Sequence, residues 1–178
     1  MISLLSYLCN GISLGSVYAI IALGYTMVYG IAKMLNFAHG DVIMIGAYVT
    51  FCCMNYVGLP PLVAVLAAVV VCTLLGVIIE RLAYKPLRQA SSLAVLITAI
   101  GMSYLLQNTA LLLWSPNPKS FPTMANLGMV SLFDGQLQIS GNTILTVAVS
   151  VVIMVGLTLF TSKTKMGKAM RGVAEDKG

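Results

Sequence analysis

Residues 61–79 read PLVAVLAAVVVCTLLGVII, opened by Pro61, closed by Glu80 and free of charge between them. At ~1.5 Å rise per residue, a helix of about 20 residues crosses a ~30 Å hydrocarbon core. The stretch is therefore expected to cross a membrane as a helix. Pro61 fits its first turn, where the missing backbone donor has no partner to lose. Upstream, Gly58-Leu59-Pro60 breaks helical continuity, and beyond that break residues 42–57 and 1–32 are uncharged. Downstream, residues 80–88 form a polar, basic connection. The segment 92–114 is again apolar and ends at Trp114, a residue suited to the membrane interface. From 142 to 162 the chain is apolar once more, and residues 163–178 are basic and interrupted by glycine. Segments near 5–30, 42–57, 61–80, 92–114 and 142–161 qualify as spans, the second being the shortest. The first is not expected to be a signal peptide, since no basic region precedes it in this sequence and its uncharged run is too long.

Composition agrees with this reading. The 178 residues are 59% hydrophobic and 8% charged, with a mean hydropathy of +0.96, whereas soluble domains carry about a quarter of their residues as charges. A water-soluble domain and a disordered chain are both excluded. The net charge of +5 does not form a patch, so nucleic acid is not an expected partner. Nine of the ten Lys and Arg residues fall at 33–41, 80–91 and 162–178, and only Lys119 falls in the alternate connections at 58–61 and 115–141. Because basic connections stay in the cytoplasm, this pattern predicts an external N-terminus and a cytoplasmic C-terminus. The fold class is thus an all-α integral membrane protein with about five transmembrane helices. Its loop at 115–141 carries Pro116, Pro118 and Pro122, and places Asp134-Gly135 between β-compatible residues 132–137, the signature of a short external hairpin.

Several residues are candidates for function. Gly11 and Gly15 form a G-x-x-x-G that strips side chains from one helix face and lets another backbone approach, inside the chain or in another subunit. Asn36, His39 and Asp41 gather the only histidine and one of five acids at the start of the second span. Two readings are open there: Asp41 caps the helix and complements its dipole, or the three residues line a water-filled path or gate. Gln107 and Asn108, with Thr98, Ser103 and Thr109, place amides and hydroxyls within the fourth span, so that this face looks inward for interhelical bonding or for a polar solute. In the tail, Met166, Met170 and Val173 recur at i, i+4 and i+7 with Lys165, Lys168 and Arg171 elsewhere on the wheel. A short cytoplasmic amphipathic helix is expected, its alternative being a basic flank resting on anionic lipid headgroups.

Catalytic chemistry has no parts to work with. There is no Ser-His-acid set, no H-E-x-x-H, and no G-x-x-x-x-G-K-[ST], so the chain is not expected to be an enzyme or to hydrolyse ATP itself. Cys9, Cys52, Cys53 and Cys72 lie in apolar runs without C-x-x-C spacing or a neighbouring histidine, and read as small buried hydrophobes with no metal site or disulfide.

The run Asn10 to Ile31 (NGISLGSVYAIIALGYTMVYGI), followed by Leu35 to Asp41 (LNFAHGD), resembles the N-terminal half of the permease subunits of high-affinity branched-chain amino acid ABC importers. So do Ile79 to Arg88 (IERLAYKPLR), Ile97 to Ser103 (ITAIGMS) and Met166 to Arg171 (MGKAMR). The resemblance covers essentially the whole chain and is weakest at 115–141. It implies a permease domain over 1–162 and, over 163–178, the beginning of a cytoplasmic coupling segment in which Met166, Gly167, Lys168, Met170 and Arg171 dock on the ATPase. It also implies the plasma membrane as location, with no cofactor on this chain and ATP hydrolysed by partners. Those partners are cytoplasmic ATP-binding subunits, a second permease subunit and an external solute-binding protein, with lipid around the spans. Permeases of this family continue with further spans, so the chain is expected to be the first half or so of one. A non-transporting assembly subunit, an ATP-independent carrier or channel, and a permease for urea or short amides are the alternatives.

Overall fold

A computed structural model describes residues 2–32, 35–87, 90–121, 128–132 and 137–175. The elements are α1 (Ile2–Ala32), α2 (His39–Asn55), α3 (Pro61–Ile79), α4 (Ser92–Trp114), the strands β1 (Met129–Leu132) and β2 (Leu137–Ser140), α5 (Gly141–Lys163) and α6 (Lys165–Glu175). They sort into two compact units, one of α1, the hairpin, α5 and α6, the other of α2, α3 and α4.

In the second unit Pro60 serves as the N-cap of α3 in an extended conformation and Pro61 takes the first helical position. The break before it turns at Gly58, whose φ of +72° suits a residue without Cβ. The expected basic connection at 80–91 does not begin at once: Glu80–Tyr84 continue α3 as a π-turn and Lys85–Leu87 as a 3-10 turn. The wider turn directs both Ala83 and Tyr84 inward, where they join Ala38, Ile79, Val95, Ala99 and Leu106 in the core. The alanines let backbones approach closely. Gly46 of α2 does the same against α3, for a Cβ there would stand 2.9 Å from Cys72 Sγ.

The second helix starts earlier than expected. The sequence placed it at 42–57, after a charged residue; it runs from His39 to Asn55, so His39 and Asp41 belong to its first turn. Among the described residues four helical stretches, Leu4–Gly30, Pro61–Leu87, Ser92–Trp114 and Gly141–Lys163, are long and apolar enough to cross a membrane. The 17 residues of α2 span only ~26 Å at ~1.5 Å per residue, so the second of the about five expected spans is the short one.

In the first unit, β1 and β2 pair antiparallel with Leu132 opposite Leu137; the Asp134-Gly135 turn lies outside the described residues. Ser140 accepts a hydrogen bond from the Asn142 amide and so caps α5 as it leaves the hairpin. A single residue, Thr164, separates α5 from α6. Its hydroxyl accepts from the Gly167 amide at 3.0 Å, its carbonyl accepts from the Lys168 amide, and Arg171 donates to the Ser162 carbonyl at 3.1 Å. Those bonds occupy carbonyl and amide groups that helix ends otherwise leave open.

In both units large apolar side chains point outward, Leu62 at 73% and Leu112 at 88% exposure among them. A soluble protein does not expose such faces; hydrocarbon is the solvent that suits them.

Candidate functional site

The site is built on the first turn of α2 and the middle of α4. Asp41 is 8% exposed. Its carboxylate accepts a hydrogen bond from Ser103 Oγ and another from Gln107 Nε2 at 3.0 Å, and Gln107 also donates to Ser103 Oγ at 3.1 Å. Ser103 and Gln107 lie one helical turn apart, so both reach the same carboxylate. The N-cap of α2 is Ala38, without a side-chain bond. Asp41 therefore does not cap its own helix. It spends its acceptors on α4, while its position in the first turn still sets a negative charge against the positive helix end.

Both of these donors to Asp41 are neutral. A carboxylate so placed in a helix pair of membrane type is expensive unless it faces protein donors, water or a passing cation. Gln107 is exposed and Ser103 half-buried, so the network opens on the surface of its unit.

The other sequence candidates fall elsewhere. Asn36 Oδ1 accepts from the Ala38 amide at 3.1 Å and from the Tyr84 hydroxyl at 2.8 Å, tying the entry of α2 to the π-turn. His39 is half-buried and its amide donates to the Asn36 carbonyl. Asn108 is exposed and donates to the Tyr104 carbonyl of its own helix at 2.7 Å, and Thr98 and Thr109 likewise bond back within α4. Thus Asp41 and Gln107 meet, Asn36 belongs to a separate constellation, and Asn108 joins neither.

Tyr84 carries no local signal of this role, since it sits in the charged connection Glu80-Arg81-Leu82-Ala83-Tyr84 and its partner is 48 residues away. A second unanticipated contact joins α2 and α4 further along: the Tyr48 and Trp114 rings stack with centroids 4.6 Å apart, and Trp114 Nε1 donates to Cys52 Sγ at 3.0 Å. Together with the Asp41 network, it makes α2 and α4 run in the same direction. The four cysteines are free thiols, and among the described residues no group of three His, Cys, Asp or Glu is placed to hold a metal.

In the first unit the coupling candidates divide. Gly167 is buried, and a Cβ there would fall on the carbonyls of Phe160 and Thr161. Met170 and Arg171 join Gly167, Thr161 and the α1 residues Thr26, Met27 and Gly30 around a cleft of about 290 Å³. These residues hold α6 to its own unit. Met166 is 62% exposed and Lys168 is exposed, so the outward surface is theirs. Around Gly11 and Gly15 nothing lies within 4 Å of an added Cβ; among the described residues no helix closes on that face.

Comparison with known proteins places the chain. The family model described as "Branched-chain amino acid transport system / permease component" matches residues 7–178. The high-affinity branched-chain amino acid transport system permease protein BraD of Pseudomonas aeruginosa is 44% identical over 97% of this chain. The protein of the same description called LivH in Escherichia coli K12 is 41% identical over 97%. The probable branched-chain amino acid transport permease protein LivH of Methanocaldococcus jannaschii is 29% identical over 88% of the chain and covers 50% of its own length. The chain spans 59% of the length of the first two relatives. No solved structure matches it significantly. With a family model matched across nearly its whole length and helices of membrane type beneath it, the chain belongs to the family of permease components of branched-chain amino acid transport systems.

Proposed function

We propose that the chain is a membrane-spanning permease portion of an ATP-driven importer for branched-chain amino acids. The observation that carries the reading is the 44% identity to a relative named as a high-affinity permease for those solutes. In this account residues 1–162 form the permease portion and 163–178 the start of the coupling segment. The N-terminus is external and the C-terminus cytoplasmic in the plasma membrane, as the distribution of Lys and Arg favours. ATP is hydrolysed by cytoplasmic partner subunits, solute arrives on an external binding protein, and a second permease subunit completes the membrane part. The open face at Gly11 and Gly15 offers that subunit close backbone approach.

Chemically, the permease lowers the barrier to a zwitterion in hydrocarbon. The Asp41, Ser103 and Gln107 group provides a carboxylate and neutral hydrogen-bonding groups at the middle of α4, on a surface a solute ammonium can meet. On the cytoplasmic side, α6 carries motion between the ATP-binding subunits and α5 through the one-residue corner at Thr164.

The test uses the assembled transporter in vesicles. Replacing the outward pair as Met166→Asp with Lys168→Glu is expected to abolish ATP-driven leucine uptake by more than tenfold while ATP hydrolysis continues. Uptake at the unaltered rate would overturn the coupling role, and an unaltered assembly that hydrolyses ATP but accumulates no leucine would overturn the substrate.

A further inference from the structure

A second cleft, entirely within the unit of α2, α3 and α4, is not used by the Asp41 network. Met44, Ala47, Tyr48 and Phe51 of α2 line it, spaced i, i+3, i+4 and i+7, so they form one continuous helix face. Its opposite wall is the segment after α4, including Asn117, Lys119 and Phe121. The volume is about 270 Å³, just under the ~300 Å³ at which pockets begin to suit drug-sized ligands. A smaller solute matches it.

Three features make this more than a crease between helices. The chain reverses over α2 at Ser115, with φ 60° and ψ 161°, a region essentially reserved for glycine, and such strain gathers at ligand clamps. Aromatic rings then fix the returning segment, Phe121 tilting on Phe51 at 6.4 Å, while Tyr48 is braced by Trp114. Finally, Lys119 is the one basic residue outside the three basic connections. It is exposed, and among the described residues its ammonium has no hydrogen-bond or ion-pair partner. An apolar, aromatic wall beside a lone cation suits a ligand with an aliphatic body and an anionic end.

We propose that this cleft binds a zwitterionic aliphatic amino acid, its side chain against Met44, Tyr48 and Phe51 and its carboxylate on the Lys119 ammonium. The ligand's own ammonium lies toward the Asn117 amide oxygen and the Tyr48 ring and hydroxyl, which accept donors and attract cations. The site deepens the importer reading and rests on it for the choice of solute. On the proposed topology it lies at the external ends of α2 and α4, the side from which solute is delivered.

Trp114 is the only tryptophan and stacks on a ring of the cleft, so its fluorescence reports occupancy. The purified full chain in lipid nanodiscs is titrated with L-leucine and with 3-methylbutylamine, which is leucine without its carboxylate. Leucine is expected to change the emission saturably. Lys119→Gln is expected to weaken leucine about tenfold and to leave the weaker amine unchanged, and Ala47→Phe, which fills the cleft from an exposed position, to abolish both. No saturable response to leucine, equal leucine affinity in Lys119→Gln, or undiminished binding in Ala47→Phe would each overturn the site. In the assembled transporter, leucine uptake with unaltered KM in both variants removes the site and leaves the importer standing, whereas absence of leucine uptake in the unaltered assembly removes the importer.

Discussion

Asp41 has two acceptor oxygens and neutral groups to fill them, which decides what its loss does. In Asp41→Ala, Gln107 and Ser103 keep their own 3.1 Å bond, so the damage is that of two donors losing one shared partner, about 1–3 kcal/mol of stability. Gln107→Leu removes a single interhelical bond of a kind worth about 0.6 kcal/mol in membrane proteins, and Ser103 still serves the carboxylate. Unfolding of the chain in mixed micelles is expected to rank Asp41→Ala well below Gln107→Leu, and equal losses would contradict the network. Half of this site was legible in the sequence. An amide inside an apolar span has to be bonded, which singled out Gln107. Nothing local says that its partner is 66 residues away, or that Asn108 beside it turns instead to its own helix.

The helices themselves were legible because charged residues, glycine and proline punctuate the apolar runs. The misplaced start of α2 has a specific cause. Asp41 reads locally as the end of a polar connection, but tertiary donors from α4 let the helix begin before it. The π-turn after α3 is likewise set by burial of Ala83 and Tyr84, which no periodicity announces. The corner between α5 and α6 was invisible for the same reason, although its residues were in view: Gly167 is there for its missing Cβ. Gly167→Ala must push α6 off the Phe160 and Thr161 carbonyls at a cost of about 1–3 kcal/mol. Thr164→Ala removes a cap worth about 1 kcal/mol. Gly172→Ala, where an added Cβ meets nothing within 4 Å, is neutral or mildly favourable. Trypsin cleavage at Lys168 and Arg171 in detergent is expected to quicken in the first two variants and not in the third. Equal rates in Gly167→Ala and Gly172→Ala would show that the corner does not hold α6.

For the molecule as a whole, outward apolar faces and the placement of ten cations do different jobs. The first makes lipid the solvent, and on the proposed topology the second orients the chain in it. That proposed orientation ties the two clefts and the exposed surface of α6 to the importer reading, in which Met166 and Lys168 lie on the ATP side and Lys119 on the side of solute arrival. Membrane-impermeant maleimide labelling of intact cells reads this directly, with Lys119→Cys and Lys168→Cys each placed in a chain whose Cys9, Cys52, Cys53 and Cys72 are replaced by alanine. The account predicts that Lys119→Cys is labelled from outside and Lys168→Cys only after the membrane is opened; labelling of Lys168→Cys in intact cells, or protection of Lys119→Cys there, would contradict it.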